Sequence, residues 1–439
     1  MPPPEGEERW TTGWDVIYEE NYSFDNLYGG WEGVQGRANA TNSTQISQAG
    51  TPYAYKLQND LNLDLASVAG RLCGRHDDRS GRALRKQPVH GFSQMQYQLN
   101  RALRSLPYDG AVKAWVVREL GGPEVLRFED LEPGEPADGA VRIAVRAAAI
   151  NFPDALMVAG TYQSKPALPF VPGVEVSGEV IAAAPSTGFN AGDRVMALLD
   201  SGGLTRGGYS QLADAVPSAV SPMPAGMSFE EAAGFTLTYQ TGWFGLHRRA
   251  NLQPEETLLV HAGAGGVGTA AIQLGKAAGA TVIATAGSNE KLEVCRRMGA
   301  DHVINYKTQD FAEEVKKLTG GRGADVVFDP VGGDVYDRST KCVAFEGRIV
   351  IVGFTSGRIA QAATSHVLVK NYSVVGLHWG LYRSRAPELI APAARVLVDL
   401  YKSGKIKPFI SVCMPLAEAP AALASVAGGK STGKVVLTT

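Results

Sequence analysis

The pattern of apolar and polar positions changes near residue 110. From Ala111 onward, short apolar runs separated by Pro-Gly and Gly-Asp turns predict strands, and later strand–helix alternations predict βαβ units. The clearest unit opens on Leu258, Leu259 and Val260, an uninterrupted apolar run suited to a strand buried on both faces. A glycine-rich turn follows, then good helix formers from Thr269 to Ala278, then a second strand over Thr281 to Ala284. Before residue 110 the text is different. "YEENYSFDNLYGGWEG" is acidic and aromatic, "RANATNSTQISQAG" is polar, and only stretches such as "DLNLDLASVAG" carry any period. This composition predicts a poorly ordered extension over residues 1–110.

The turn itself reads Gly263-Ala264-Gly265-Gly266-Val267-Gly268. The spacing Gly263-x-Gly265-x-x-Gly268, between a strand and a helix, matches a dinucleotide fingerprint. In that reading Gly263 permits the tight turn, Gly265 lets the backbone approach a pyrophosphate, and Gly268 lets helix and strand pack closely. The helix N-terminus then offers N–H groups and a positive dipole end to the phosphates. NAD binders usually place an acid at the end of the second strand, to hold the ribose 2′-hydroxyl. Here that place reads Thr285-Ala286-Gly287-Ser288, with no acid before Glu290. Ser288 and Lys291 suit a 2′-phosphate instead, which favours NADPH; the alternative is that Lys291 is a solvated surface lysine.

Composition narrows the classes. With 439 residues, two or three domains are expected. A formal net charge of -2 gives no reason to expect nucleic acid or an anionic membrane as the main partner. Arg71 to Lys86 is locally basic, and either a solvated charge run or a contact for acidic partners would explain it. Cys73, Cys295, Cys342 and Cys413 are scattered without a C-x-x-C, which argues against a disulfide framework or zinc knuckle and fits a reducing cytoplasm. No apolar run is long enough to span a bilayer.

Several further patches carry a resemblance. "VKAWVVRELGGPEVL", "AAINFPDALMVAGTYQSKPALPFVPGVEVSGEV", "GFNAGDRVMAL", "GGYSQLA", "GADHVINY", "GRGADVVFDPVGG", "GRIVIVGFTSG" and the terminal "GKVVLTT" occur in this order. From Val112 on, about three quarters of the chain resembles the medium-chain dehydrogenase/reductases, most of all the zinc-free NADPH:quinone oxidoreductase or zeta-crystallin-like branch. The resemblance implies an α/β architecture: a GroES-like, partly open β-barrel and a doubly wound parallel-sheet Rossmann domain. The divisions implied are 111–236 for the first part of the barrel domain, 237–377 for the Rossmann domain, and 378–439 for the return to the barrel. A homodimer and a cofactor cleft between the domains are implied as well.

Zinc-dependent members of the superfamily carry a cysteine where this chain has Asn151, and Gly-His-Glu where it has Gly173-Val174-Glu175. Valine cannot ligate a metal, so no metal is expected. Glu175 and Asp154 read as structural carboxylates of a cleft wall. The family's cleft positions fall on Asn151, Tyr162 and Thr241, the candidate catalytic set, with Asn151 and Thr241 near the nicotinamide. Tyr162 is either an oxyanion donor or a half-buried turn aromatic. Gly353-Phe354-Thr355 and His378-Trp379-Gly380 match stretches along the cofactor, and Tyr306 a position against the adenosine phosphate. Lys434 is either a cofactor contact from the barrel side or a surface strand lysine, and His261 reads as structural. The implied activity is NADPH-dependent hydride transfer to a quinone or α,β-unsaturated carbonyl. Two alternatives remain: an enoyl-thioester reductase, and an NADPH-binding protein of crystallin or RNA-binding type.

Overall fold

The computed structural model of the chain describes residues 110–439. The reading of residues 1–110 as a poorly ordered extension, with its basic run and Cys73, lies outside the described residues but for Gly110.

The described residues open with an antiparallel pair, β1 (Val112–Val117) and β2 (Leu126–Leu131), in which Val112 faces Leu131. Five strands follow: β3 (Val141–Ala149), β4 (Glu175–Ala183), β5 (Arg194–Leu198), β6 (Leu212–Ala215) and β7 (Val220–Pro222). Six more are β8 (Thr257–Val260), β9 (Thr281–Ala286), β10 (His302–Asn305), β11 (Ala324–Asp329), β12 (Val343–Ile351) and β13 (Ser373–Gly376). The last two are β14 (Ile410–Pro415) and β15 (Lys434–Thr438).

Strands β8 to β13 form one parallel sheet in the order β10-β9-β8-β11-β12-β13. Counted from β8, that is the 3-2-1-4-5-6 order of a doubly wound dinucleotide fold. Its apolar runs are explained by two-sided burial. Leu258 and Val260 enter one buried cluster while Leu259 enters the other; Val282 and Ala284 separate from Ile283, and Val326 and Phe328 from Val327, in the same way. The expected helix after the glycine turn spans Gly266–Ala277, starting three residues earlier than its helix-forming text suggests.

The other main sheet is the GroES-like barrel, ordered β14-β15-β3-β4-β5-β7 with β6 also on β3. The C-terminal β15 lies between β14, to which it is parallel, and β3, to which it is antiparallel. The two sheets share a core, since Met196 and Leu198 of β5 belong to the same buried cluster as Leu258 and Val260 of β8. Inside the barrel, Arg142 of β3 and Asp214 of β6 form a buried two-pronged pair at 2.8 and 2.9 Å. Arg142 also donates to the carbonyl of Gly134 at 2.6 Å.

Removing one member of a buried, hydrogen-bonded pair leaves an uncompensated charge. Asp214→Ala is therefore expected to lower unfolding free energy by about 3–5 kcal/mol. Urea denaturation followed by far-UV circular dichroism measures this, and a loss under about 1 kcal/mol would show that Arg142 finds water instead.

Candidate active site

The carboxyl ends of β8, β11, β12 and β13 gather the turns at 263–268, 330–333, 353–355 and 378–380. In the first of them, the left-handed conformation falls on Ala262 (φ 48°), not on Gly263. Gly263 needs its missing Cβ for another reason: a Cβ there would sit 2.9 Å from Cys295 Sγ and 3.0 Å from Ala284 Cβ. At Gly268 a Cβ would stand 2.3 Å from the Ala262 carbonyl oxygen, so helix and turn can touch only without one. At Gly265 the same Cβ would meet only that carbonyl, at 3.3 Å, and the space before it is open. Gly265 caps the helix Gly266–Ala277 with no side-chain hydrogen bond, so the N–H groups of its first turn have no side-chain acceptor. An open approach to such a helix start fits a pyrophosphate.

Beside this turn lies a buried polar cluster that the sequence did not assemble. Asn151 ends the run from β3 and caps the helix Phe152–Val158, where Asp154 completes a capping box by accepting from the Asn151 N–H at 2.8 Å. Asp154 also accepts from the Tyr209 hydroxyl at 2.9 Å and the Val174 N–H at 3.2 Å. Its carboxyl is fully buried, and burial raises its pKa to about 6 against these hydrogen bonds and the charge of Lys434. Glu175 begins β4 and accepts from the Leu237 N–H at 2.7 Å, at the start of the helix Thr236–Trp243. Burial raises its pKa too, opposed first by Lys434.

Lys434 is not a surface strand lysine, being 4 % exposed. Its ammonium donates to Asn151 Oδ1 at 2.6 Å, to the Ile150 carbonyl at 3.3 Å and to Glu175 Oε2 at 3.4 Å. Its stem crosses the glycine turn, with Cδ 3.0 Å from where a Gly266 Cβ would lie. The residue before it, Gly433, pairs with Gly265, and its N–H donates to the Ala264 carbonyl at 2.7 Å. An ammonium thus sits between Asn151 and Glu175. Among the described residues, no three His, Cys, Asp or Glu side chains converge to hold a metal.

The remaining candidates are distributed around this centre. Tyr162 is half-buried, and burial followed by the charge of Asp154 raises its pKa, which keeps the phenol a hydrogen-bond donor. Thr241 is buried on the helix Thr236–Trp243, one turn beyond Thr238, whose methyl lies beside Gly266. Gly353, Phe354 and Thr355 fold onto the turn after β11, and the Thr355 N–H donates to the Pro330 carbonyl at 3.1 Å. His378 is exposed at the head of the helix Trp379–Arg385; Trp379 is buried with its Nε1 lacking a partner among the described residues, and Gly380 is exposed next to it. Ser288 caps the helix Asn289–Arg297, accepting from the Lys291 N–H at 3.3 Å, while Lys291 Nζ donates to the Gly429 carbonyl at 2.7 Å. Tyr306 is half exposed, its hydroxyl 2.6 Å from where a Gly287 Cβ would lie. Lys307, which sequence reasoning missed, has its Cε 3.3 Å from the same point. His261 is buried between the hydroxyls of Thr285 and Ser339, and burial lowers its pKa to about 3, so it is neutral and structural.

Comparison with known proteins gives the family and agrees with the fold. The family model described as zinc-binding dehydrogenase matches residues 266–395, and the alcohol dehydrogenase GroES-like domain matches residues 137–227. The chain is 38% identical over 329 residues to a quinone oxidoreductase-like protein 2 homolog from Nematostella vectensis, covering 74% of this chain and 89% of the relative. The chain belongs to the zinc-independent quinone oxidoreductase branch of the medium-chain dehydrogenase/reductases. Among solved structures, Escherichia coli quinone oxidoreductase complexed with NADPH is 31% identical with a TM-score of 0.69, covering 74% of this chain and all (100%) of that one. The CurK enoyl reductase is 31% identical with a TM-score of 0.66, over 75% of this chain and 99% of that one.

The buried carboxyl of this oxidoreductase gives a pH signature. A carboxyl whose folded pKa lies above its unfolded value near 3.9 stabilises the fold most below that value. The stabilisation fades as pH rises through about 6. Relative to Asp154→Asn, the wild type should therefore lose up to about 3 kcal/mol of stability between pH 4 and pH 7. Urea midpoints across that range test it; parallel curves for the two proteins would place the Asp154 titration elsewhere.

Proposed function

We propose that this protein is an NADPH-dependent reductase of quinones or α,β-unsaturated carbonyl compounds that works without a metal. The observation that carries this reading is the Lys434 ammonium set among Asn151 and Glu175 beside the open glycine turn. The first turn of the helix after Gly265 would take the pyrophosphate. Ser288 and Lys291 would take the 2′-phosphate, with Tyr306 and Lys307 alongside. Asn151 and Thr241 would hold the nicotinamide, with Gly353 to Thr355 and His378 to Gly380 along the cofactor. Lys434 holds the Asn151 amide in place from behind. NADPH, when bound, supplies a hydride to an electrophilic carbon. As charge develops on the acceptor oxygen, the Tyr162 phenol donates a hydrogen bond to it, its proton retained by burial and by Asp154.

The domain division at about residues 236 and 377, with the site in the cleft between, belongs to the same proposal. No helix of the described residues is long and apolar enough to cross a membrane. We place the enzyme in the cytoplasm, a reading supported by Cys295, Cys342 and Cys413, which are all free thiols. A homodimer is supported by β13, an unpaired sheet edge among the described residues, and by Leu368 and Val369, 76% and 79% exposed on the preceding helix. Val369→Glu should shift the oligomer toward monomer in light scattering; an unchanged mass would move the interface elsewhere.

The test of the reaction is NADPH oxidation with simple quinones and enones, using cofactor deuterated at each C4 face in turn. Label from one face only should reach the reduced carbon. No transfer from either face to any quinone, enone or enoyl thioester would leave a cofactor-binding protein. Likeness to an enoyl reductase supports enoyl thioesters as a second acceptor class, which competition by crotonyl-CoA distinguishes. Lys291→Glu should weaken NADPH far more than NADH, because it puts a like charge beside the 2′-phosphate. Equal loss for both cofactors would remove Lys291 from that role. Tyr162→Phe should lower kcat about tenfold, less than a sole oxyanion donor would, since water reaches a half-buried site. An unchanged kcat assigns Tyr162 to packing.

A further inference from the structure

Arg383 stands on the helix Trp379–Arg385, at the carboxyl ends of the parallel strands where the cleft opens. It closes a notch whose other walls come from the barrel: Leu198, Asp200, Arg206, Asp214 and Val216. Three guanidinium groups and two carboxylates are associated with this notch. Asp214 is held through both oxygens by Arg142. Asp200 is paired with Arg206. Arg383 is left over: among the described residues it makes no hydrogen bond or ion pair, and only the field of Asp200 favours its charge. Its side chain is half-buried, and burial lowers its pKa. Next to Asp200, the Ser201 hydroxyl is fully buried and also lacks a partner among the described residues. A half-buried cation without a counterion is costly, and a bound anion would relieve it.

We propose that Arg383 binds a carboxylate on the acceptor, so that the enzyme prefers quinones or enones bearing an acidic substituent. The inference rests on the reductase reading above and names its substrate class. The notch holds about 10 Å³, room for one water-sized atom, so it admits a single oxygen of an anion and leaves the rest of the group in the cleft. A carboxylate there can set its second oxygen against the same guanidinium, and the comparison with a phosphate-bearing thioester below separates the two anions. The Arg206–Asp200 pair beside it keeps the site from gathering anions indiscriminately.

The test compares 4-oxo-2-pentenoate with its primary amide, an enone of the same shape without the charge, at saturating NADPH. In Arg383→Gln the ratio of kcat/KM for acid over amide should fall roughly ten- to a hundredfold, the loss of one charge-assisted hydrogen bond. Arg383→Lys should recover part of it, and carries the comparison alone if Arg383→Gln does not fold, as thermal melting reports. An unchanged ratio in both variants overturns the proposal. So does a loss of crotonyl-CoA turnover as large as that of the acid, which would make the site a phosphate contact. If the wild type reduces neither enone, the reductase reading has failed. Calorimetric binding of 4-oxo-2-pentenoate then decides the notch: binding that Arg383→Gln abolishes upholds it, and no binding rejects it.

Discussion

The Lys434 ammonium joins three parts of the molecule. Its hydrogen bonds reach the end of the β3 run at Ile150 and Asn151 and the start of β4 at Glu175, and its stem lies across the helix start at Gly266. A buried cation is tolerated only with its charge compensated and its donors satisfied, and here three acceptors meet it. Glu175 in turn fixes the helix that carries Thr241, through the Leu237 N–H. Asn151 fixes Asp154 and, through it, Tyr209 and Val174. The positions of Asn151, Glu175 and Asp154 therefore depend on one buried charge and the oxygens around it.

The same network sets protonation. Asp154 and Glu175 are fully buried, and both pKa values are raised by desolvation, with Lys434 pulling them back. The tyrosines near Asp154 are shifted upward by burial and by its charge, Tyr209 well above its ordinary value and Tyr162 less so. Phenols in this surrounding act as donors and not as bases. Under the proposed function, the half-buried Tyr162 is then a hydrogen-bond donor to a developing negative charge, while Tyr209 is committed to Asp154.

The glycine turn was legible in the sequence because its constraint is local: Gly268 touches its own turn, and the spacing records that contact. The parallel strands were legible because burial on both faces leaves an unbroken apolar run, as in Leu258 to Val260. The missing zinc ligands were legible as residue types at matched positions. Lys434 was only half legible. Its neighbours Asn151 and Glu175 lie 283 and 259 positions away, and no periodicity encodes a contact of that span. The pair Arg142 and Asp214, 72 apart, and the notch around Arg383 were hidden for the same reason.

The place of β15 has a consequence for the order in which the protein is made. The parallel sheet β8 to β13 is one unbroken stretch of chain, and every strand of it has been synthesised before β14 begins. The barrel is different: Ala147 to Ala149 of β3 wait for their partner β15 until Val436 to Thr438 are synthesised. Until then the end of β3 from Ala147 to Ala149 lacks that partner, and the glycine turn lacks the Gly433 backbone that seats against it. At about 5–20 residues per second, the interval from the end of β3 to the synthesis of β15 is tens of seconds at the slow end of that range. A nascent chain stalled shortly before residue 433 would carry a finished nucleotide fold beside an open barrel, a form that chaperones or proteases meet before the enzyme exists.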